Sequence, residues 1–365
     1  MSVPVTIIGG GLAGLTLGIG LRQDNIPVTI FESGDYPRHR VCGEFISGRG
    51  QAVLARLDLL SDFEKAGAIY ARTAMFISDA AKSPVRTLAA PALCLSRYSM
   101  DALLASRFQE LGGQLRVRSR WNLEHSAGRM HIDSVPARPN LEQSSEPIVL
   151  ATGRRLQPAE KETHWFGVKA HIASGSPVEL EADLEMHLSQ DGYVGVNRVN
   201  NGEINVCGLF KGRPHKHPPE SKAEWLLGQS DSTLRRRLTK AQFEPQSFCS
   251  VAGIRLKPRR AAAQHECCIG DALTMTPPVT GNGMSMAFES AEIARPPVAA
   301  YSRGDISWLE ARRQIAARCD RAFSRRLAWA RLLQWMMVAR TVQNSFGKFL
   351  LRSDWLWQLM FERTR

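Results

Sequence analysis

The chain has 365 residues, 44% hydrophobic and 22% charged, which exceeds one typical domain and excludes disordered and fibrous classes. Its seven cysteines are odd in number and lack CxxC spacing, which excludes a disulfide framework and a structural zinc site. The formal net charge is +12, and the basic excess is concentrated after Tyr301, where thirteen Lys and Arg face five Asp and Glu with no nucleic-acid module beside them.

Val5, Ile7 and Ile8 form a short apolar strand, and Gly9, Gly11 and Gly14 follow at GxGxxG spacing. The first glycine lets the chain turn out of the strand, the second leaves room for a pyrophosphate, and the third lets the helix pack closely. Val28, Ile30 and Phe31 give the second strand, and Glu32 ends it where a carboxylate can accept ribose hydroxyls. This spacing predicts a βαβ unit that binds an adenosine nucleotide on its helix N-terminus. The first strand begins almost at once, leaving no room for a signal peptide, and no window holds the roughly 18 apolar residues of a membrane span. A cytoplasmic location is therefore expected.

A long loop after Glu32, carrying Arg40, Cys42 and Gly43, precedes a helix expected from Gly48 to Leu60. Short strand-like runs follow at Ala74 to Ser78 and Val85 to Leu88. Arg97 to Leu111 has a helical period closed by Gly112 and Gly113, and Gln114 to Val117 reads as the next parallel strand. A hairpin is expected across Trp121 to Ile132, and Ile148 to Gly153 reads as a buried strand. Between Trp165 and Lys211 the pattern alternates as antiparallel strands do, with Asn200, Asn201 and Gly202 as a hairpin turn. His215 and His217 read as solvated loop residues rather than metal ligands. Cys267 and Cys268 read as packed thiols in a strand. Asp271 follows that strand, and Gly281, Asn282 and Gly283 open a new helix. A carboxylate there suits a ribitol hydroxyl, and a helix N-terminus suits negative charge on a reduced isoalloxazine ring.

These separated motifs resemble the FAD-dependent oxidoreductases of the para-hydroxybenzoate hydroxylase fold, in the branch holding geranylgeranyl reductases, flavin halogenases and biosynthetic monooxygenases. GGGLAG with Glu32 resembles the ADP-binding motif, which adds Leu12 and Ala13 to the glycines. RYSMDALL resembles the helix whose first residue, Arg97, reaches the cofactor. GDALTMTPPVTGNGMSMA resembles the ribitol and flavin motif, with Asp271, Gly281, Asn282, Gly283 and Met284. RVCGEFIS resembles the Cys-Gly stretch of the reductases, with Glu44 where they often continue with glycine. Arg40, Cys42 and Gly43 are cofactor-site candidates on that ground, and Cys42 is either a proton donor near the flavin or a buried thiol.

The resemblance implies an α/β fold: a Rossmann-like FAD-binding domain interleaved with an antiparallel β-sheet substrate domain, plus a C-terminal helical segment. Residues 1–70, 93–160 and 263–304 are assigned to the FAD-binding domain, 71–92 and 161–262 to the substrate domain, and 305–365 to the C-terminal helices. The implied function is oxygenation of a hydrophobic aromatic or polyketide-like molecule, with reduction of isoprenoid double bonds as the alternative. Ala151 to Arg154 replaces the Asp-Gly pair of aromatic hydroxylases, so the electron donor is either NAD(P)H or a partner flavin reductase. Gly192 to Asn197 replaces the halogenase WxWxIP pattern, which argues against halogenation. Because the flavin carries the chemistry, no general base is named. The apolar run Leu327 to Ala339, flanked by arginines and with Trp329, Trp335, Trp355 and Trp357 on or beyond it, packs on the protein's own core or makes peripheral contact with the inner face of a membrane.

Overall fold

The computed structural model describes residues 2–78, 81–124, 129–132, 147–154, 165–189, 192–212, 222–254, 256, 258–338, 353–355 and 357–358. His215 and His217, Arg340 and the end of the apolar run at Ala339 lie outside the described residues.

Strand β1 (Val5–Ile8), helix α1 (Leu12–Gln23) and strand β2 (Val28–Phe31) form the opening unit. The two-residue β3 (Phe45–Ile46) follows the long loop. The helix expected to reach Leu60 is two helices, α2 (Gly48–Arg56) and α3 (Leu60–Lys65), because Asp58 adopts φ 56° and ends the first. Next come β4 (Ile69–Ile77), β5 (Arg86–Cys94), α4 (Arg97–Glu110) and β6 (Gln114–Arg116). Strands β4 and β5 are longer than their apolar runs, since Arg72, Thr87, Ala89 and Ala90 face water. The hairpin β7 (Trp121–Glu124) with β8 (Arg129–Ile132) precedes the buried β9 (Ile148–Leu150). Then follow β10 (Trp165–Ile172), β11 (Leu184–Ser189), β12 (Gly192–Arg198), β13 (Ile204–Lys211), α5 (Lys222–Leu227), α6 (Thr233–Leu238) and β14 (Cys249–Ile254). The chain closes with β15 (Cys267–Cys268), α7 (Gly283–Arg303) and α8 (Trp308–Val338). Cys267 and Cys268 are buried free thiols.

One sheet is parallel with order β15-β9-β1-β2-β6, as in a dinucleotide-binding fold. Helix α1 is buried from Leu12 to Leu21 because the sheet, α4 and α7 enclose it. The other sheet has order β14-β10-β13-β12-β11-β4-β5-β3. All its pairings are antiparallel except β4 with β11. One of its faces packs on α5 and α6 through Phe166, Val168, Val194, Val206, Leu226 and Leu234. The opposite face turns toward the parallel sheet and carries the site.

Helix α8 explains the C-terminal apolar run. Ala311, Ile315, Cys319, Phe323, Leu327, Ala330 and Leu333 are buried at helical spacing, so one side of the run packs on the protein, while Leu332 and Trp335 stay exposed. Beyond it, Trp357 is buried against Phe76 and Arg86, whose guanidinium also pairs with Asp354 at 3.0 Å, whereas Trp355 is exposed. No helix among the described residues is long and apolar enough to cross a membrane.

Arg326 joins α8 to α7 through hydrogen bonds of 2.8 to 3.0 Å to Glu289, with both residues buried. Removing Arg326 leaves the buried Glu289 carboxylate with the more exposed Arg49, 3.8 Å away, as its remaining ion pair. Arg326→Ala is therefore expected to cost about 3 kcal/mol, read as the fall in urea unfolding free energy; a loss below about 1 kcal/mol would show that the pair is effectively solvated.

Candidate functional site

The end of β1 sets the first wall of the site. Gly9 has φ 109°, and a side chain there would begin 2.3 Å from the Ala151 carbonyl oxygen, so β1 can turn beside β9 only with glycine. Gly14 seats α1 against the same turn: its missing Cβ would lie 1.9 Å from the Gly9 carbonyl oxygen. Gly11 differs. As the N-cap of α1 it faces open space, with no heavy atom within 4 Å of a Cβ position.

Glu32 is buried beside that helix end. Its carboxylate accepts the N–H groups of Gly10 at 2.9 Å and Gly34 at 3.0 Å, the Ser33 hydroxyl at 3.1 Å and the Arg38 guanidinium, and the Arg40 guanidinium stands 3.8 Å away as an ion pair. Burial raises its pKa, but the charge and hydrogen bond of Arg38 overcome that and hold it below the usual range. Arg40 and Arg97 share the fully buried Asp101, at 3.1 Å and at 2.7 and 2.8 Å.

A groove of about 860 Å³ runs from the N-terminus of α1, past Glu32 and the loop of residues 38–45, to the loop before α7. Of the residues singled out by the sequence, Gly9, Gly11, Leu12, Ala13, Glu32, Arg40, Cys42, Gly43, Arg97, Asp271, Gly281, Gly283 and Met284 all line it. Gly14 and Asn282 do not; one is inside α1, and the other is buried as the N-cap of α7, accepting a hydrogen bond from Ser47 at 3.2 Å. Gly283 also faces open space. Asp271 points into the groove, and no donor among the described residues is within hydrogen-bonding distance of its carboxylate. Burial raises its pKa, against the partial opposition of Arg154, Arg97 and Arg259. An adenine dinucleotide fits this donor set: two open helix ends for negative charge, and carboxylates for hydroxyl groups.

The loop of residues 38–45 holds a cluster that the sequence motifs do not include. Glu44 is fully buried at φ 56°, a conformation that favours glycine, which accounts for glycine being frequent there in the family resembled. Its carboxylate accepts the Arg97 N–H at 2.8 Å and meets His171 Nε2 at 2.6 Å and Lys169 Nζ at 3.1 Å. His39 stands at the groove edge with Nδ1 3.1 Å from Lys169 Nζ. Burial, then the charges of Lys169 and His171, hold His39 down to about 4. Cys42 lies close by, its carbonyl accepting from Asn205 at 3.1 Å, and burial pushes its thiol pKa up. The signal for this cluster was a lysine and a histidine two apart in an otherwise apolar strand, but their acidic partner is 127 residues from His171.

No family model matches the chain. Among curated proteins, the conditioned medium factor receptor 1 of Dictyostelium discoideum is 20% identical over 317 residues, and the match spans 62% of that protein's length. Among solved structures, the flavin-dependent brominase Bmp2 superposes with TM-score 0.73 at 16% identity, covering 99% of this chain and 92% of that one. PqsL of P. aeruginosa, in complex with 2-aminobenzoylacetate, superposes with TM-score 0.69 at 16% identity, covering 95% of this chain and all of that one. The chain has the fold of these flavin-dependent proteins.

The raised pKa of Asp271 has a stability consequence. Its favourable contribution is complete below the unfolded carboxylate value of about 4 and is lost as pH rises through the raised folded value, so in the cofactor-free protein the ionised group costs stability at neutral pH. Asp271→Asn is expected to raise the melting temperature of that form at pH 7, and the advantage should vanish below about pH 4. Differential scanning calorimetry across this range reads both effects; a variant less stable at pH 7 would show that the carboxylate is satisfied.

Proposed function

We propose that the chain is an FAD-dependent oxidoreductase, a monooxygenase acting on a hydrophobic aromatic or polyketide-like molecule. The observation that carries this reading is the groove, which joins the open helix end at Gly11, the carboxylates of Glu32 and Asp271 and the open helix end at Gly283 in one cavity. Bound and reduced, FAD would supply the redox chemistry, its two electrons and two protons allowing one atom of dioxygen to enter the substrate while the other leaves as water. The chain's own part is to bind and orient. The N-terminus of α1 would hold the pyrophosphate and Glu32 the adenosine ribose through Oε2, which takes the Gly10 N–H while Oε1 takes Ser33, Gly34 and Arg38. Asp271 takes a ribitol hydroxyl, and the dipole of α7 favours an electron-rich ring.

The site-facing side of the larger sheet supports a ring-shaped apolar substrate. Strand register places His171, Asn205 and Asn197 in one row, Lys169, Cys207, Gly195, Met186 and Phe76 in the next, and Leu209, Tyr193 and Leu188 in a third. The third row is roofed by Val279 and by Leu333, Met336 and Met337 of α8. The middle row is only half-buried apart from Lys169, and at its centre Gly195 presents no side chain. A glycine inside a strand marks a close approach, so a flat substrate lies across Gly195. The Tyr193 hydroxyl is buried there without a hydrogen-bond partner among the described residues and suits a substrate acceptor. PqsL, of the same fold, is seen with a small aromatic keto acid.

One observation favours a second reading, reduction of carbon–carbon double bonds: the Cys42 thiol at the groove is kept protonated by burial and is able to give up a proton. Peripheral membrane contact gains nothing from the packing of α8, and we assign the protein to the cytoplasm. The division of the chain into alternating FAD-binding and substrate segments is part of the same proposal, with Phe45–Ile46, inside the first FAD-binding segment, pairing with β5 of the larger sheet.

Three outcomes are expected. The purified protein binds FAD non-covalently, and Gly11→Val loses it, as read by absorbance after reconstitution; full flavin content in that variant would place the pyrophosphate elsewhere. Turnover consumes oxygen in step with product, whereas product formed anaerobically from reduced flavin would give the reductase reading. Because Ala151 to Arg154 replaces the Asp-Gly pair, NADPH alone should reduce the bound FAD slowly in stopped-flow, and a partner flavin reductase should accelerate it.

A further inference from the structure

Five titratable side chains form a continuous chain of contacts across the seam between loop and sheet. Glu203, immediately before β13, has a side chain 31% exposed, and its Oε2 lies 3.1 Å from His171 Nδ1. His171 Nε2 is 2.6 Å from Glu44 Oε2, Glu44 Oε1 is 3.1 Å from Lys169 Nζ, and Lys169 Nζ is 3.1 Å from His39 Nδ1. His39 stacks on Tyr98 with ring centroids 4.7 Å apart, meets His171 edge-on at 5.1 Å, and lines the groove. One end of the chain therefore touches water and the other touches the groove.

Holding loop to sheet does not require this. A single pair between Glu44 and Lys169 would anchor the loop, and each further buried ion costs several kcal/mol in desolvation. Charge alternates from Glu203 to Lys169, and the last link runs from the Lys169 ammonium to neutral His39, so each link pairs a donor with an acceptor. We propose that Glu203, His171, Glu44, Lys169 and His39 are a proton path between solvent and the groove, with His39 as its inner terminus.

The resting protonation follows from the contacts. The Lys169 ammonium donates to Glu44 and to His39 Nδ1, so neutral His39 carries its proton on Nε2. His171 is held above its ordinary pKa because, although burial opposes the charge, Glu203 and Glu44 both accept from the ring. When His39 gives up its Nε2 proton to a group in the groove, Lys169 passes one to Nδ1. Glu44 takes the His171 Nε2 proton on Oε2 and, by rotation of its carboxyl group, delivers it to Lys169. The His171 ring, left with its proton on Nδ1, turns over so that its bare nitrogen faces Glu203, which passes it a proton taken from water, and a turnover of the His39 ring restores its Nε2–H. One proton leaves solvent, one enters the groove, and no electron moves. The groups facing this path are the N-terminus of α4 with Arg97 and Tyr98, and the Cys42, Cys207 and Cys249 thiols around Lys169. Burial raises the pKa of Cys42 and Cys207, so neither adds a negative charge beside Lys169.

The test has one arm that rests on the flavin reading and one that does not. In the cofactor-free protein, the exchange of the His171 Nδ1 proton, the one facing Glu203, with solvent is followed by imidazole-labelled NMR. Glu203→Gln keeps a hydrogen-bond acceptor but cannot carry the proton, and it should slow this exchange by about tenfold or more while lowering the pH at which His171 titrates. Glu203→Asp should restore both. Exchange and titration unchanged in Glu203→Gln would overturn the path whatever the groove binds. In the FAD-loaded protein, photoreduced flavin is reoxidised by oxygen in H2O and D2O between pH 5 and 9. Glu203→Gln and His39→Gln should each slow the proton-limited phase by about 10²-fold with FAD affinity retained, and added imidazole should partly rescue the His39 variant. Rates and pH profiles within twofold of the native protein in both variants would make the cluster an anchor only, and a protein that binds no FAD would sink the flavin reading while leaving the exchange experiment to decide the path.

Discussion

The charge on Glu44 is the constraint on which the site depends. Burial works against ionising it, yet the hydrogen bond from His171 and the charge of Lys169 keep its pKa below the ordinary value. Its backbone φ of 56° adds a strain of roughly 1 to 2 kcal/mol for a residue with a Cβ. Both costs are met because one carboxylate joins three pieces of the chain: Lys169 and His171 of β10, its own loop, and the N-terminus of α4 through the Arg97 N–H. The loop is thereby held at a fixed height above the larger sheet, and with it Cys42, His39 and Arg40 at the groove wall. An acid at the start of α4 also suits that helix's positive end.

The charges around the groove follow the same logic of preorganisation. Two arginines, Arg40 and Arg97, share the single carboxylate of Asp101, so the group keeps a net positive charge while its side chains are already ordered. Ordering a free arginine on binding would cost up to about 2 kcal/mol of side-chain entropy. Asp271 is treated in the opposite way: Arg259 reaches its backbone carbonyl and not its carboxylate, which keeps its hydrogen-bonding capacity. Stability of the empty protein is given up at that carboxylate in exchange for a directed contact.

What was legible in the sequence was local. Gly9, Gly11 and Gly14 are readable because they recur at fixed spacing across one strand-to-helix turn, and Asp271 is readable because it closely follows a short strand in a segment that goes on to a glycine-opened helix. The cluster at Glu44 was not, since Lys169 and His171 look like ordinary polar interruptions of WFGVKAHI and their partners come from residues 39, 44 and 203. The sequence marked Glu44 only as a departure from glycine. The six-residue helices α5 and α6 are too short to display a period. The parallel pairing of β4 with β11 is a matter of tertiary order that no strand pattern encodes. Breaks such as the one at Asp58 depend on a single positive φ within an otherwise helical run.

The basic C-terminal segment shows how a charge asymmetry can mislead about partners. Arg313, Arg318, Arg321, Arg325 and Arg331 lie on the exposed side of α8, while Phe323, Leu327, Ala330 and Leu333 lie beneath them. The exception, Arg326, is buried because Glu289 of α7 receives it. Positive charge on this helix is therefore what a long amphipathic element carries on its solvated side, and it requires no anionic partner. The underside has the more consequential position. Leu333, Met336 and Met337 pack above the row of Leu209, Tyr193 and Leu188, so the helix excludes water from the apolar end of the sheet face while the polar end, at His171, stays linked through Glu203 to solvent. The same face thus runs from dry to wet over three rows, and Gly195 lies at the boundary between them.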